Sequence, residues 1–293
     1  MGEDAPNPSR DRLGSPVDLR TFRASDGYAF YYRHFAPAGV PKARLVFVHG
    51  IRSHGGWYGR SCRRFAAAGF DVSFLDRRGS GLNTAARGDA PNFRRLLDDV
   101  AEFVRHQRED RGWLPVVVCG ISWGGKLVAA LPYRHPGLID GLVLLCPGLV
   151  PIVAPPLASR ARIAVARVFR PWKFFPIPLN EPDLFTASPE WREYVAAEPH
   201  GLRQATARFL FSSFSLDIFL RRAVRRVMVP TLLVLGGRDR IIDNANTRLY
   251  AGRFGVPVGI LDYPGAHHTL EFEPPDHPWV ADVTRWLERR VVG

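Results

Sequence analysis

Apolar and polar positions follow two different rhythms along the chain. Continuous apolar runs, as in RLVFVHG (44–50) and LPVVVCG (114–120), are typical of strands buried on both faces of a sheet. Residues 92–110 instead place apolar side chains at helical spacing, which predicts an amphipathic helix. The Asp-Gly pair at 26–27 separates two strand-like runs and predicts an antiparallel hairpin. Strands that alternate with helices indicate an α/β fold with a mostly parallel sheet flanked by helices.

This alternation is interrupted once. Between 149 and 227 the chain is rich in Pro, Arg and large aromatic residues, with helical stretches and no clear buried strand. The buried-strand pattern returns in VPTLLVLGGRD, residues 229–239. We therefore expect one α/β core, residues 19–148 and 228–293, interrupted by a helical insertion, residues 149–227, that would form a cap. Residues 1–18 are polar and predict a flexible N-terminal tail.

The chain is strongly basic, with a formal net charge of +12 that comes almost entirely from arginine. These arginines form no run longer than two, so we expect a generally basic surface and no nucleic-acid partner. No signal peptide or transmembrane helix is expected, because no apolar stretch has the required length and composition. Cys119 and Cys146 lie in apolar runs and are expected to be small buried hydrophobes, which predicts a reducing, cytoplasmic environment.

Loops that follow the predicted strands carry side chains suited to nucleophilic catalysis. GISWGG holds Ser122, GGRDRIID holds Asp239 and Asp243, and PGAHHTLEFE holds His267 and His268. In parallel sheets these loops meet at the carboxyl ends of the strands. A serine hydroxyl becomes an effective nucleophile when an imidazole takes its proton and a carboxylate orients that imidazole. The order Ser, Asp, His matches an α/β-hydrolase triad, while the residues alone leave open which Asp and which His take part.

The same loops resemble a known family. FVHGIRSHGGWY, DRRGSG, GISWGG, PTLLVLGGRDRIID and GAHHTLEFE match landmarks of the α/β-hydrolases. More narrowly, they resemble the monoacylglycerol lipase and lysophospholipase-like branch, grouped with the serine aminopeptidase-type hydrolases. The resemblance implies that Ser122 is the nucleophile, Asp239 the acid and His268 the base. The alternative acid is Asp243, and the alternative base is His267. In this branch the base follows a Gly-Ala-x pattern, which favours His268.

The resemblance also implies an oxyanion hole, in which the backbone N–H groups of Ile51 and Trp123 stabilise the developing alkoxide. It implies no cofactor and no metal. The chain departs from the branch beside its nucleophile, where Ile121 and Trp123 replace the usual His and Met. Both elbow roles depend on backbone geometry, so we expect activity to be retained and the Trp123 ring to reshape the pocket wall.

Four polar residues near these loops are expected to be structural. His49 should brace the oxyanion loop, and His54 has no partner at metal-ligand spacing. Arg77 and Arg78, in DRRGSG, are expected to belong to a Gly-rich turn with solvated or salt-bridged guanidinium groups.

The cap insertion carries large aromatic residues that are expected to pack on the core, with some lining an apolar tunnel for an acyl chain. They are Phe169, Trp172, Phe174, Phe175, Phe209, Phe211, Phe214 and Phe219. We therefore expect a serine hydrolase that cleaves monoacylglycerol-like, lysophospholipid-like or other hydrophobic esters through an acyl-enzyme. The alternatives are an amidase or aminopeptidase with the same triad, and a non-catalytic small-molecule-binding protein. Arginine residues on the cap are also compatible with peripheral contact with an anionic membrane surface. The sequence does not indicate an oligomeric state.

Overall fold

The computed structural model describes residues 16–109 and 114–293, and these build one central sheet. Its strands are β1 (Asp18–Arg23), β2 (Ala29–Phe35), β3 (Arg44–Val48), β4 (Asp71–Leu75), β5 (Val116–Ile121), β6 (Gly141–Leu145), β9 (Thr231–Gly236) and β10 (Val258–Tyr263). They lie in the order β1-β2-β4-β3-β5-β6-β9-β10. β2 pairs antiparallel with β1 and with β4, and the remaining pairs are parallel. The expected α/β fold with a leading hairpin is confirmed.

Helices flank this sheet. They are α1 (Gly59–Ala67), α2 (Phe93–Glu109), α3 (Trp123–Ala129), α4 (Leu131–Arg134), α8 (Asn244–Ala251) and α9 (Trp279–Leu287). Every residue of β3, β4, β5 and β6 is buried, as expected for continuous apolar strands covered on both faces. In contrast, β10 at the edge of the sheet has no buried residue. The best-covered part of the sheet is therefore its centre.

The sequence SWGGKLVAALPYR (122–134), whose pattern predicts one helix after β5, forms two. α3 ends at Ala129 and α4 begins at Leu131, with Pro132 in the first turn of α4. Proline has no backbone N–H and its ring clashes with the preceding turn, so one continuous helix through this position is disfavoured. The physical signal for the break was present in the sequence LPYR.

The chain from 149 to 227, called the 149–227 segment below, contains α5 (Leu157–Phe169), α6 (Pro189–Ala197) and α7 (Ala207–Ala223). It also contains two short strands, β7 (Phe174–Pro176) and β8 (Gln204–Thr206), which pair antiparallel. With three residues each, they are too short to show an alternating pattern. Thr206 caps α7 by accepting a hydrogen bond from the N–H of Phe209. The segment joins β6 to β9, and its residues line cavities at the carboxyl ends of the strands.

Several expectations concern burial and the chain ends. Cys119 and Cys146 are buried and unpaired, as expected, and the same holds for Cys62. Residues 1–15 of the expected tail lie outside the described residues, while Val17 is buried and Asp18 already begins β1. Within the described part of the chain, no helix combines the length and apolarity needed to cross a membrane.

Candidate active site

The turn from β5 into α3 places Ser122 at a sharp corner. Ser122 has a φ of +53°, a left-handed conformation that is uncommon for a residue with a Cβ. The chain also passes very close to β3, since a Cβ on Gly124 would lie 2.4 Å from the carbonyl oxygens of both Val48 and His49. This strained strand-to-helix turn is the geometry of a nucleophile elbow.

The loop after β3 packs directly on this corner. A Cβ on Gly50 would lie 3.1 Å from the Cβ of Ser122, so a larger residue would crowd the nucleophile. Ile51 and Trp123 both line a cavity with Ser122. Among the described residues, the backbone N–H groups of Ile51 and Trp123 have no protein acceptor. Two unused N–H groups beside a serine are the components of an oxyanion hole.

Hydrogen bonds from Arg77 and His49 fix the loop that follows β3. The buried Arg77 side chain donates hydrogen bonds to the carbonyl oxygens of His49, Gly50 and Ile51 at 3.1, 2.7 and 3.2 Å. Its backbone N–H donates to His49 Nε2 at 2.9 Å, so the neutral ring carries its proton on Nδ1. Burial lowers the pKa of His49 well below its usual range, which keeps the ring neutral. His49 thus braces the oxyanion loop as expected. The Arg77 guanidinium was expected to be solvated or salt-bridged, but it is buried and bonded to backbone carbonyl oxygens, which the turn brings within its reach.

His268 and Asp239 form a buried pair. His268 Nδ1 lies 2.7 Å from Asp239 Oδ2, in the loops that follow β10 and β9. The other carboxylate oxygen accepts hydrogen bonds from the N–H groups of Ile241 and Ile242 at 2.8 and 3.0 Å. These contacts fix the carboxylate and place the imidazole proton on Nδ1. The second ring nitrogen, Nε2, is buried and has no hydrogen-bond partner among the described residues.

Ser122 and His268 line the same narrow cavity, of about 10 Å³, but no hydrogen bond joins Ser122 Oγ to His268 Nε2 in the described structure. Catalytic hydrogen bonds are often long in unliganded sites and tighten when substrate binds. The ring of Phe185, from the 149–227 segment, packs 6.1 Å from the His268 ring. The structure therefore brings His268 and Asp239 into contact, and Ser122 lies beside them in a cavity that Phe185 of the 149–227 segment also lines.

The two rival residues have other partners. The Asp243 side chain caps α8 by accepting a hydrogen bond from the N–H of Asn246 at 2.9 Å. His267 Nδ1 lies 3.1 Å from Glu273 Oε1. Neither residue lines a described cavity that contains Ser122. The geometry therefore favours Asp239 and His268 over these neighbours.

Cys146 lies against the acid in a way that its apolar sequence context did not reveal. It has a φ of +42°, and its buried thiol sulfur lies within 4.8 Å of a carboxylate oxygen of Asp239. Ligand atoms of Cys146, Asp239 and His268 lie within 4.8 Å of one another and are of types that bind zinc. Two of these groups, His268 and Asp239, are already hydrogen-bonded to each other at 2.7 Å.

The other two polar residues singled out from the sequence are paired. Arg78 donates two hydrogen bonds to Asp99, at 2.8 and 2.7 Å, so its expected salt bridge is confirmed. His54 Nδ1 accepts a hydrogen bond from the N–H of Gly56, and its Nε2 lies 3.1 Å from Glu198 Oε1 in the 149–227 segment. His54 thus connects the loop after β3 to that segment.

A second cavity, of about 120 Å³, extends from Ser122 beneath the 149–227 segment. Much of its lining is apolar and comes from Ile51, Val153, Ile177, Leu179, Leu210, Phe214, Ile241 and Ile242. The eight aromatic residues of the segment were expected to pack on the core, with some lining an acyl tunnel. Of these, Phe214 alone lines this cavity, and Phe169, Trp172, Phe174 and Phe211 are exposed. The largest described cavity, about 490 Å³, lies elsewhere and does not include Ser122.

One wall of the 120 Å³ cavity is polar, and sequence reasoning missed it. Trp123 Nε1 donates to Ser213 Oγ at 2.8 Å, and Lys126 Nζ lies 3.2 Å from the same oxygen. Lys126 also forms a 2.6 Å ion pair with Asp217. Burial lowers the pKa of Lys126. The sequence does show a lysine, Lys126, directly after GISWGG. Its pairing could not be predicted, because its partners lie on α7, about 90 residues later.

Comparisons with known proteins agree with this geometry. The Hydrolase_4 family (serine aminopeptidase, S33) matches residues 39–275. The chain is 30% identical to the monoacylglycerol lipase of Mycolicibacterium smegmatis, covering 94% of this chain and 98% of that protein. It is 25% identical to the human monoglyceride lipase, covering 93% and 91% of the two chains.

Solved structures show the same fold. A monoacylglycerol lipase from Paleococcus ferrophilus superposes with a TM-score of 0.77 at 23% identity, covering 90% of this chain and 98% of that one. A soluble variant of the Saccharomyces cerevisiae monoglyceride lipase, in complex with a substrate analog, gives a TM-score of 0.81 at 18% identity, covering 98% and 99%. The chain therefore belongs to the Hydrolase_4 (serine aminopeptidase, S33) family of α/β-hydrolases and is a carboxylic ester hydrolase.

Proposed function

We propose that this protein cleaves hydrophobic carboxylic esters, of the monoacylglycerol or lysophospholipid type, through an acyl-enzyme on Ser122. The observation that carries the proposal is the buried His268–Asp239 pair, whose unpartnered Nε2 shares a cavity with Ser122. The monoacylglycerol lipases among the relatives support the substrate class. Nothing in the structure specifically favours an amidase or aminopeptidase.

In this mechanism His268 Nε2 takes the Ser122 proton as Oγ attacks the ester carbonyl. Asp239 stabilises the imidazolium that forms. The N–H groups of Ile51 and Trp123 hold the oxyanion of the tetrahedral intermediate. His268 then gives its proton to the departing alcohol, and a water molecule activated by the same ring hydrolyses the acyl-enzyme.

The two cavities at Ser122 can be assigned to the two halves of the ester. The departing alcohol must lie within reach of His268, because that ring protonates it. His268 lines the 10 Å³ cavity and not the 120 Å³ cavity. We therefore assign the 120 Å³ cavity to the acyl chain and the narrow one to the alcohol. Sites for small molecules usually measure roughly 300–1,000 Å³, so longer chains require the 149–227 segment to move outward.

A fluorophosphonate probe tests the proposal. The wild-type protein should be labelled, Ser122→Ala should not, and the matched control Ser25→Ala should be labelled normally because Ser25 lies in the exposed hairpin turn. A panel of 4-nitrophenyl esters of rising chain length, monoacylglycerols and aminoacyl amides then identifies the substrate class. An unlabelled wild-type protein, or turnover of the amides alone, would refute the proposal.

The 149–227 segment acts in this proposal as a cap on a core formed by residues 19–148 and 228–293. Arg52, in the loop after β3, is buried and donates to the carbonyl oxygens of Leu179 and Val195 in the segment. Phe185 covers His268 from the same side. These contacts support a closed cover whose outward movement admits the ester.

The cap also has a face suited to peripheral contact with an anionic membrane. Large apolar side chains are exposed on and beside α5, including Leu157 (80%), Val168 (71%), Phe169 (78%) and Trp172 (65%). Arginine and lysine lie among them, at Arg160, Arg162, Arg167, Arg170 and Lys173. A contiguous apolar surface with basic residues around it is the composition of interfacial membrane contacts.

Vesicle sedimentation tests this contact. We expect binding to vesicles that contain phosphatidylserine, weaker binding to neutral phosphatidylcholine vesicles, and loss of binding in Phe169→Ser/Trp172→Ser. Leu249→Ser is the matched control, since Leu249 is 70% exposed on α8. Equal binding by both variants would refute the assignment to this face.

We further propose a cytoplasmic location, supported by the three unpaired buried cysteines and testable by cell fractionation.

A further inference from the structure

The polar wall of the acyl cavity is not needed by the ester chemistry. Lys126, Ser213 and Asp217 line the cavity on the side of α3 and α7, among otherwise mostly apolar residues. The Lys126 side chain is only 6% exposed, whereas Asp217 is 38% exposed. Burying an ammonium group is costly, and a methylene chain gains nothing from it. A cavity that took only alkyl chains would be better lined by an apolar residue here.

A count of donors and acceptors shows what this wall offers. Ser213 Oγ accepts from Trp123 Nε1 and from Lys126 Nζ, which occupies both of its lone pairs. Its own hydroxyl proton has no acceptor among the described residues. Lys126 has three N–H donors, of which Asp217 and Ser213 take two. One hydroxyl and one ammonium donor therefore remain available on the same wall.

The wall lies close to the reacting bond. Lys126 is four residues after Ser122, about one helical turn or ~5.4 Å along α3. Its backbone N–H donates to the Ser122 carbonyl oxygen at 3.2 Å, so the two residues keep a fixed relation. Because the Lys126–Asp217 pair is neutral overall, it favours an uncharged acceptor over a second carboxylate that would compete with Asp217.

We propose that Lys126 and Ser213 form a subsite for an oxygen atom in the acyl chain, so that the enzyme prefers esters of hydroxy-, alkoxy- or oxo-substituted acids. This proposal rests on the serine esterase mechanism above and narrows its substrate class. The acceptor oxygen lies a few bonds from the scissile carbonyl and receives hydrogen bonds from Lys126 Nζ and Ser213 Oγ. The rest of the acyl chain contacts the apolar lining.

An oxygen scan along the chain tests the subsite. The probes are 4-nitrophenyl hexanoate and analogues in which an ether oxygen replaces one methylene at successive positions. Each kcat/KM is divided by the rate of alkaline hydrolysis, which corrects for intrinsic reactivity. The wild-type protein should prefer one oxygen position over hexanoate. In Lys126→Met that preference should fall about tenfold, because a site built for a hydrogen bond discriminates strongly when the bond is lost. Lys42→Met is the matched control, an ion-paired lysine outside the cavity whose loss should leave the preference unchanged.

The outcomes distinguish a substrate subsite from a purely structural contact that holds α3 and α7 together. If the contact is only structural, Lys126→Met should lower kcat/KM for the oxygenated ester and for hexanoate by the same factor, which would overturn the proposal. So would a wild-type protein that prefers hexanoate at every oxygen position. If Lys126→Met does not fold, Ser213→Ala leaves the Lys126–Asp217 ion pair, removes the hydroxyl donor and frees the Trp123 and Lys126 donors that Ser213 accepted. The preferred oxygen position should then change while hexanoate turnover is retained, and an unchanged position scan would overturn the proposal. Loss of fluorophosphonate labelling in the wild-type protein would instead refute the serine esterase function itself.

Discussion

The two regions that meet at Ser122 are built by different means. On the sheet side, the chain is held by its backbone: β5 is buried over its full length, and Asp239 is fixed by two amide N–H groups. The 149–227 segment is less uniformly buried, and its helix α5 buries only Ile163 and Ala166. Side chains on a half-exposed helix can be exchanged with less disturbance than those of a buried strand. We therefore expect the proposed catalytic residues to tolerate fewer substitutions than the exposed residues of this segment.

The largest expected effect is on the sheet side, at His268. His268→Ala removes the group that takes the Ser122 proton, so kcat should fall by on the order of 10³-fold or more. His267→Ala, the matched neighbour, loses only the contact with Glu273 and should change kcat by less than about tenfold. Steady-state kinetics on a 4-nitrophenyl ester measures both. The reverse order would exchange the roles of the two histidines.

A smaller effect is expected from one methyl group at Gly124. A Cβ there would lie 2.4 Å from two backbone carbonyl oxygens, so Gly124→Ala must displace the elbow. A shift of about 1 Å at reacting groups can cost roughly 100-fold in rate. The matched control is Gly39→Ala, because a Cβ on Gly39 meets nothing within 4 Å. If both variants kept wild-type kcat and thermal stability, backbone packing would not be what positions Ser122.

The third effect is on stability rather than on rate, at a carboxyl group three residues after His268. Burial raises the pKa of Glu271 to about 7, from 4.5. At pH below 4.5 both folded and unfolded states hold the protonated group. As the pH rises to 7 the unfolded state ionises first, so the free energy of unfolding falls by up to roughly 3 kcal/mol and then levels off.

Glu271→Gln should remove this pH dependence, because glutamine stays neutral and its side-chain oxygen can still accept from the N–H of Arg60. Urea unfolding at pH 5 and pH 8 measures it. Glu288→Gln, on an exposed carboxylate, is the control. An unchanged difference between the two pH values in Glu271→Gln would mean that Glu271 is ionised in the folded protein.

The same division explains what could be predicted from the sequence. The apolar runs of β3 and β5 predict the sheet because each strand is buried along its full length. The loops carrying Ser122 and Asp239 follow such strands, whereas the His268 loop follows β10, a parallel strand at the exposed edge. All three strands are parallel, so the meeting of their loops at one sheet edge follows from the topology. Close backbone approaches require glycine, which is why GISWGG is visible in the sequence.

The 149–227 segment could not be predicted to the same depth. Lys126 and Asp217 are 91 positions apart, and their ion pair depends on how α7 is rotated over α3. β7 and β8 are too short for a pattern. Phe169 and Trp172 were expected to pack on the core, but they are exposed. Helix rotation and surface packing depend on tertiary contacts that local periodicity does not encode.

The left-handed backbone of Ser122 has a practical consequence for trapping a complex. Holding a residue with a Cβ at a φ of +53° costs folding free energy, on the order of 1–3 kcal/mol for such sites. Glycine adopts this conformation without that cost. A Ser122→Gly variant should therefore be inactive, melt at a higher temperature than Ser122→Ala, and leave extra room beside the oxyanion N–H groups. An inactive variant that is more thermostable than Ser122→Ala is suited to crystallisation with an intact, uncleaved ester.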